Sequence, residues 1–162
     1  MRGKRILSVI LLLAIAVSLF SCSEESKFGH AELVISLTDD YYRTESEKGY
    51  DKVYTNGERI IAITRLSFDA DGISEFMSPY EFGEFWLGKF ERNTEIETSP
   101  SGVAYATYYD GYGDSEVFYL EAFIRAPYAY FVILGAAPVA DKDGAMSYFL
   151  DVINNVYIKN EG

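Results

Sequence analysis

Cysteine and histidine are almost missing from this chain: one of each occurs in 162 residues. A lone cysteine rules out an internal disulfide framework, and a zinc site ordinarily takes several His or Cys ligands. The histidine, His30, sits in a short polar stretch that would not hold an imidazole in a packed site, so Ser-His-Asp chemistry has no base. Basic residues are also few. Fourteen Lys and Arg face 25 Asp and Glu, a net charge of −11. Such a balance repels nucleic acid and anionic head groups and favours cationic partners or metal ions; it also keeps a secreted protein soluble. No apolar run reaches the about 20 residues of a single-span anchor. The longest, from Ile6 to Phe20, is interrupted by Ser8 and Ser18. No phosphate loop is present, because Gly111-x-Gly113 lacks a third glycine, a lysine and a following helix.

The amino-terminal segment is informative. A basic start (Arg2, Lys4, Arg5) precedes the apolar run, and Ser21 stands just before the only cysteine, Cys22. Charged region, short apolar region and small residue follow the order of a secretory signal peptide. Leu19-Phe20-Ser21-Cys22 resembles the lipobox of bacterial lipoproteins, with Phe20 where a smaller residue is more usual. The resemblance implies cleavage before Cys22 and acylation of its thiol, with palmitate-like chains. Two chains reach the threshold for stable anchoring. The expected division is residues 1–21 as lipoprotein signal peptide, 22–30 as lipidated N-terminus and tether, and 31–162 as one globular domain. The removed segment carries three basic residues and no acid, so the remainder holds 11 basic and 25 acidic residues, net −14.

Along the domain, Leu33 to Leu37 reads as a first strand, and Thr38 to Gly49 as a charged connection. Tyr50 to Thr55 is a short strand, and Asn56-Gly57 is a hairpin signal. Arg59 to Phe68 is apolar on both faces in its middle, the mark of a covered central strand. Ser78-Pro79-Tyr80-Glu81 is a capping box with proline at the first helical position, and Tyr80, Gly83, Trp86, Leu87 and Phe90 then share one helical face. Thr94 to Thr98 and Val103 to Tyr109 form strands joined at Ser99–Gly102. Asp110-Gly111 and Gly113-Asp114 mark a turn. Glu116 to Arg125 and Tyr128 to Leu134 are the last two strands, the second central. A final helix is expected from Lys142 to Ile158, capped by Asp141 or Asp143, with Ala145, Phe149, Val152, Ile153 and Val156 buried. The predicted class is α+β: a single, mostly antiparallel sheet covered by helices.

That element order, with the run from Glu116 to Leu134 followed by Asp143–Ile158, resembles the PsbP-like fold, an α/β/α sandwich of small secreted lipoproteins and extrinsic photosystem subunits. The resemblance covers roughly residues 31–160 and implies an accessory or binding role, with no catalytic residue to carry over.

Candidate sites follow. Tyr105, Tyr108, Tyr109 and Tyr112 gather with Asp110 and Asp114 around one turn. Tyrosines beside carboxylates can stack on sugars or anchor peptide loops, although tyrosine is also simply a good strand residue. Tyr109 and Tyr112, with Asp110 and Asp114, are the expected ligand or partner contacts. Asp69-Ala70-Asp71-Gly72 resembles the start of a Ca2+ loop but lacks a third ligand and the closing Glu, so it reads first as a turn and second as a metal site. Asp39-Asp40 and Asp141-x-Asp143 have the same standing. The expected function is a membrane-anchored extracytoplasmic lipoprotein of the cell envelope, binding an envelope protein or polymer without catalysis, cofactor or nucleic acid. The alternative is a carboxylate-based or divalent-metal-dependent cell-surface hydrolase, for which paired acids would be needed. The oligomeric state is left open.

Overall fold

The computed structural model describes residues 31–46, 49–68 and 72–160. The signal peptide, Cys22, the tether with His30, and the candidate ligands Asp69 and Asp71 lie outside them. Among the described residues the chain forms β1 (Ala31–Val34), β2 (Tyr42–Thr44), β3 (Lys52–Thr55), β4 (Ile60–Ser67), α1 (Pro79–Lys89), β5 (Ile96–Thr98), β6 (Ala104–Asp110), β7 (Val117–Arg125), β8 (Ala129–Pro138), α2 (Lys142–Asn154) and β9 (Tyr157–Asn160).

Seven strands make an antiparallel sheet in the order β2-β3-β4-β8-β7-β6-β5. The expected central strand is central: β8 pairs β4 on one side, with Ile63 opposite Ile133, and β7 on the other, with Leu120 opposite Gly135. Side chains alternate between two faces, as the pleat requires. Ile61, Ile63, Leu120 and Ile133 pack with Phe149, Val152 and Ile153 of α2. Leu66, Phe123, Tyr130 and Val132 pack with Phe82, Trp86 and Leu87 of α1. One helix therefore covers each face, and both central strands must be apolar on both sides.

The capping box of α1 is formed as expected. The Glu81 N–H donates to Ser78 Oγ at 3.2 Å, and the Ser78 N–H donates to Glu81 Oε2 at 2.7 Å. Gly83 lowers helix propensity but admits the sheet, since a Cβ there would meet Phe123 Cδ2 at 2.6 Å.

Four local expectations are corrected. The last helix stops at Asn154, not Ile158. Asn155 ends it, its side-chain amide donating to the Asp151 carbonyl at 2.8 Å. Tyr157–Asn160 then pairs antiparallel with β1 as a separate two-stranded sheet, Leu33 opposite Ile158. Alternating Tyr157, Ile158 and Lys159 suit a half-buried strand better than a helix. The first strand accordingly lies at Ala31–Val34, earlier than Leu33 to Leu37. The expected connection Thr38 to Gly49 contains β2. Asp141 stands at the cap position of α2 without capping it, because its carboxylate is held bidentate by Arg59 (Nε to Oδ2 2.5 Å, Nη2 to Oδ1 3.0 Å).

Candidate functional site

The tyrosines of β6 divide between the two faces. Tyr105 is buried on the α2 side, and its hydroxyl donates to Glu97 Oε2 at 3.0 Å. Tyr108 points to the α1 side and stacks on Tyr119, with centroids 5.1 Å apart. Tyr109 lies across from Phe118 and is 46% exposed, while Tyr112 is 93% exposed. Their common end of the sheet is the turn from β6 to β7, where Asp114 lies on the short helical turn Gly113–Ser115.

That turn is tied down. Asp110 Oδ1 accepts the Gly111 N–H at 2.8 Å. Ser115 donates its hydroxyl to the Tyr112 carbonyl at 2.8 Å and its N–H to the same oxygen at 3.2 Å. Gly111 has φ of +103°, and a Cβ there would meet the Ser115 carbonyl at 2.8 Å, so only glycine fits. A wet aromatic ring thus stands on a braced backbone, with a carboxylate two residues before it. Lys142, at the start of α2, sits 5.5 Å from the Tyr109 ring centroid, and Tyr109 holds its ammonium above its ordinary range.

The residue that sequence reading missed is Glu121, on the α1 face of β7 and 4% exposed. Its carboxylate receives three donors: Trp86 Nε1 on Oε2 at 3.1 Å, and Arg92 Nη1 at 2.7 Å and the Tyr108 hydroxyl at 3.0 Å, both on Oε1. Arg92 is sandwiched between Phe90 and Tyr108, with its guanidinium 4.9 and 4.3 Å from the ring centroids. Burial pushes the Glu121 carboxyl up, while Arg92, Tyr108 and Trp86 oppose that shift. The adjoining cavity, of about 20 Å³, has room for about one water. The arrangement therefore locks α1, the segment after it, β6 and β7 together rather than facing a substrate. The available signal was one acid at an inward position in an otherwise apolar strand, VFYLEAFIR.

Burial also acts on the neighbouring phenols. Tyr119 is pushed up from 10.0 to about 12, first by burial and then by Asp110. Tyr41 and Tyr108 are raised for the same first reason. A raised pKa in the folded state means that the unfolded chain loses its protons first. The stability carried by these neutral hydroxyls is complete below about pH 10 and is lost as pH climbs from about 10 toward 12, by about 1.4 kcal/mol per pH unit for each group. Urea unfolding midpoints are expected to fall between about pH 9 and pH 11, with the tyrosinate absorbance of the folded state lagging behind that of the unfolded chain. Coincident titration of folded and unfolded tyrosines would contradict this.

Among the described residues, no helix is long and apolar enough to cross a membrane, and no three His, Cys, Asp or Glu side chains converge as metal ligands. No family model and no curated protein matches the sequence. Solved structures do match it. The cyanobacterial PsbP (CyanoP) of Synechocystis superposes with a TM-score of 0.54 at 12% identity, over 87% of this chain and 99% of its own. A protein from Bacteroides thetaiotaomicron gives 0.55 at 12% identity, over 80% of this chain but 46% of its own. LpqN, involved in cell envelope biogenesis of Mycobacterium tuberculosis, gives 0.49 at 14% identity, over 83% of this chain and 87% of its own. At such identities the likeness is one of fold. A large antiparallel sheet with a helix on each face, superposing on CyanoP, is the PsbP-like α+β fold.

Proposed function

We propose that this protein is a membrane-anchored extracytoplasmic lipoprotein whose PsbP-like domain binds an envelope protein or polymer without catalysis. Cys22 carries the lipid, and the turn bearing Tyr109, Asp110, Tyr112 and Asp114 makes the contact. The observation that carries the reading is Tyr112, 93% exposed on a turn whose backbone is braced by Ser115 and Gly111. A large amphipathic ring with only two side-chain torsions loses little entropy when a partner covers it, which is why tyrosine serves so often as an interface anchor. The lipobox-like segment supports the location, and the net charge of −14 over residues 22–162 favours a cationic partner surface. The hydrolase alternative needs a carboxylate free to meet a substrate. Glu121, the buried carboxylate among the described residues, has both oxygens occupied by donors.

The test is quantitative crosslinking in cells. The anchored protein is expected to capture one dominant partner, and Tyr109→Ala combined with Tyr112→Ala is expected to lower that capture at least about tenfold, the loss of a single hot-spot residue. Tyr112→Ala alone should leave thermal stability unchanged, because the ring is 93% exposed, and any loss in the double variant comes from Tyr109, which packs on Phe118. Undiminished capture by the double variant would remove the turn as the contact.

A further inference from the structure

The sheet has two unlike ends. At one, Asp110, Val117 and Pro138 stand opposite one another beside the Tyr112 turn. At the other, Arg125 faces Tyr130 and Ser67 faces Ala129. The first described segment runs from the second end toward the first. Asp40 accepts from the Asn56 side chain at 3.1 Å, at the β3–β4 turn on the Tyr112 end. Earlier in the chain, Glu32 pairs with Lys52, across from Ile63 in mid-strand, and Ala31 lines a cleft with Arg65 and Phe131. The described chain thus begins toward the Arg125 end.

That end carries exposed aromatic rings. Phe76 is 85% exposed; Tyr128, at the tip of the β7–β8 hairpin, and Tyr80, in the first turn of α1, are each about half exposed. The helix starts at this end, where Phe82 stacks on Tyr130. The backbone under Phe76 is fixed to the same hairpin. Arg125 Nε and Nη2 donate to the Glu75 carbonyl at 3.2 and 2.8 Å, and the Tyr130 hydroxyl shares its proton between the carbonyls of Ser74 and Met77. Phe76 has no polar tip to satisfy in water. Single apolar side chains scattered over a surface are ordinary; three rings gathered at the end where the described chain begins are not scattered.

Residues 22–30 stand between Cys22 and β1. Fully extended, that stretch spans about 30 Å, and β7 alone spans about the same. A bilayer holding a lipid on Cys22 is therefore within reach of the Arg125 end at any extension, whereas the Tyr112 end would need the stretch drawn out nearly straight. We propose that Phe76, Tyr80 and Tyr128 seat this end of the domain on that bilayer, with the rings at headgroup depth and the Tyr112 turn held away from it. This seating rests on the acylation of Cys22 proposed above. Aromatic rings favour the interfacial layer of a membrane. The exposed Glu75 beside Phe76 keeps the contact shallow, and the net −14 of residues 22–162 favours neutral over anionic lipid. Three rings bind an interface weakly on their own, but the anchor makes the contact intramolecular, so weak affinity suffices.

The acylated full chain is placed in phosphatidylcholine vesicles in which some lipids carry a nitroxide just below the headgroup. A thiol-reactive fluorophore is attached through Pro127→Cys, on the hairpin tip, or through Glu58→Cys, exposed at the β3–β4 turn. Emission from position 127 is expected to be strongly quenched and emission from position 58 nearly untouched. Phe76→Ser with Tyr128→Ser, in the chain labelled at 127, is expected to lower the ratio of seated to free domain at least about tenfold, the loss of roughly one buried apolar side chain, and so to restore emission. If that variant does not fold, the comparison of the two positions decides alone. Equal quenching at both positions, no quenching at 127, or unchanged quenching in the folded double variant overturns the seating. Energy transfer between copies labelled at 127, without quenching by lipid, gives the rings to a second copy and overturns it too. The mass of the purified chain separates the two failures. An acylated chain without quenching refutes the seating alone, and a chain without an acyl group refutes the anchor and the seating together.

Discussion

Glu121→Ala is expected to destabilise the fold by about 3–5 kcal/mol, the usual result of removing one partner from a buried ion pair. The substitution deprives three donors at once: the Arg92 guanidinium, the Tyr108 hydroxyl and the Trp86 indole N–H. Arg92 keeps 20% of its side-chain surface exposed and regains some water, which favours the lower half of that range. Glu121→Gln retains an oxygen for Arg92 and Tyr108, but its amide sets a second donor against Trp86, so about half the loss is expected. Urea unfolding measures both, with a lowered midpoint at unchanged slope. Glu121→Leu is the sharper control. If it matches the unaltered protein, the network does not hold α1 to β6 and β7, because apolar replacement of a whole buried ion pair can be neutral but replacement of one partner leaves Arg92 unpaired.

Gly135→Ala is expected to be the next most damaging change, at about 1–3 kcal/mol or more. Gly135 lies in the middle of β8, and an added Cβ would stand 2.6 to 2.8 Å from three carbons of the Phe149 ring. That ring is 2% exposed and sits on the buried stripe of α2, so it can yield only by lifting the helix. Phe149→Leu alone opens a cavity and costs stability too. The double variant removes the clash and the ring together, and is expected to be more stable than the sum of the single losses allows. A neutral Gly135→Ala, or strict additivity, would show that α2 is not seated on β8 at this position.

The parts of the fold readable in the sequence were those governed by local chemistry. The capping box at Ser78 and Glu81 and the hairpin at Asn56-Gly57 need only neighbours in the chain. The double-sided apolar runs of β4 and β8 announced central strands because only strands covered on both faces tolerate them. Tyr109 and Tyr112 could be placed at a turn because glycine and aspartate surround them. What escaped was set by distant pairing. Tyr157–Asn160 continues an apolar period that fits the preceding helix, and only its pairing with Ala31–Val34 makes it a strand. Asp141 has the type and position of a helix cap, yet Arg59 from another element takes its carboxylate. Glu121 was visible as an acid among apolar neighbours, but its partners Trp86 and Arg92 come from α1 and the segment after it.

The measurement that tests the central claim most directly is site-specific photocrosslinking in cells, with the reactive group at position 112 and, for comparison, at Tyr80, an exposed aromatic near the start of α1. One dominant crosslinked partner is expected from position 112, little from position 80, and loss of the adduct when Cys22→Ser removes the anchor. Equal labelling from both positions, or an adduct indifferent to Cys22→Ser, would contradict an anchored binding protein that works through the Tyr112 turn.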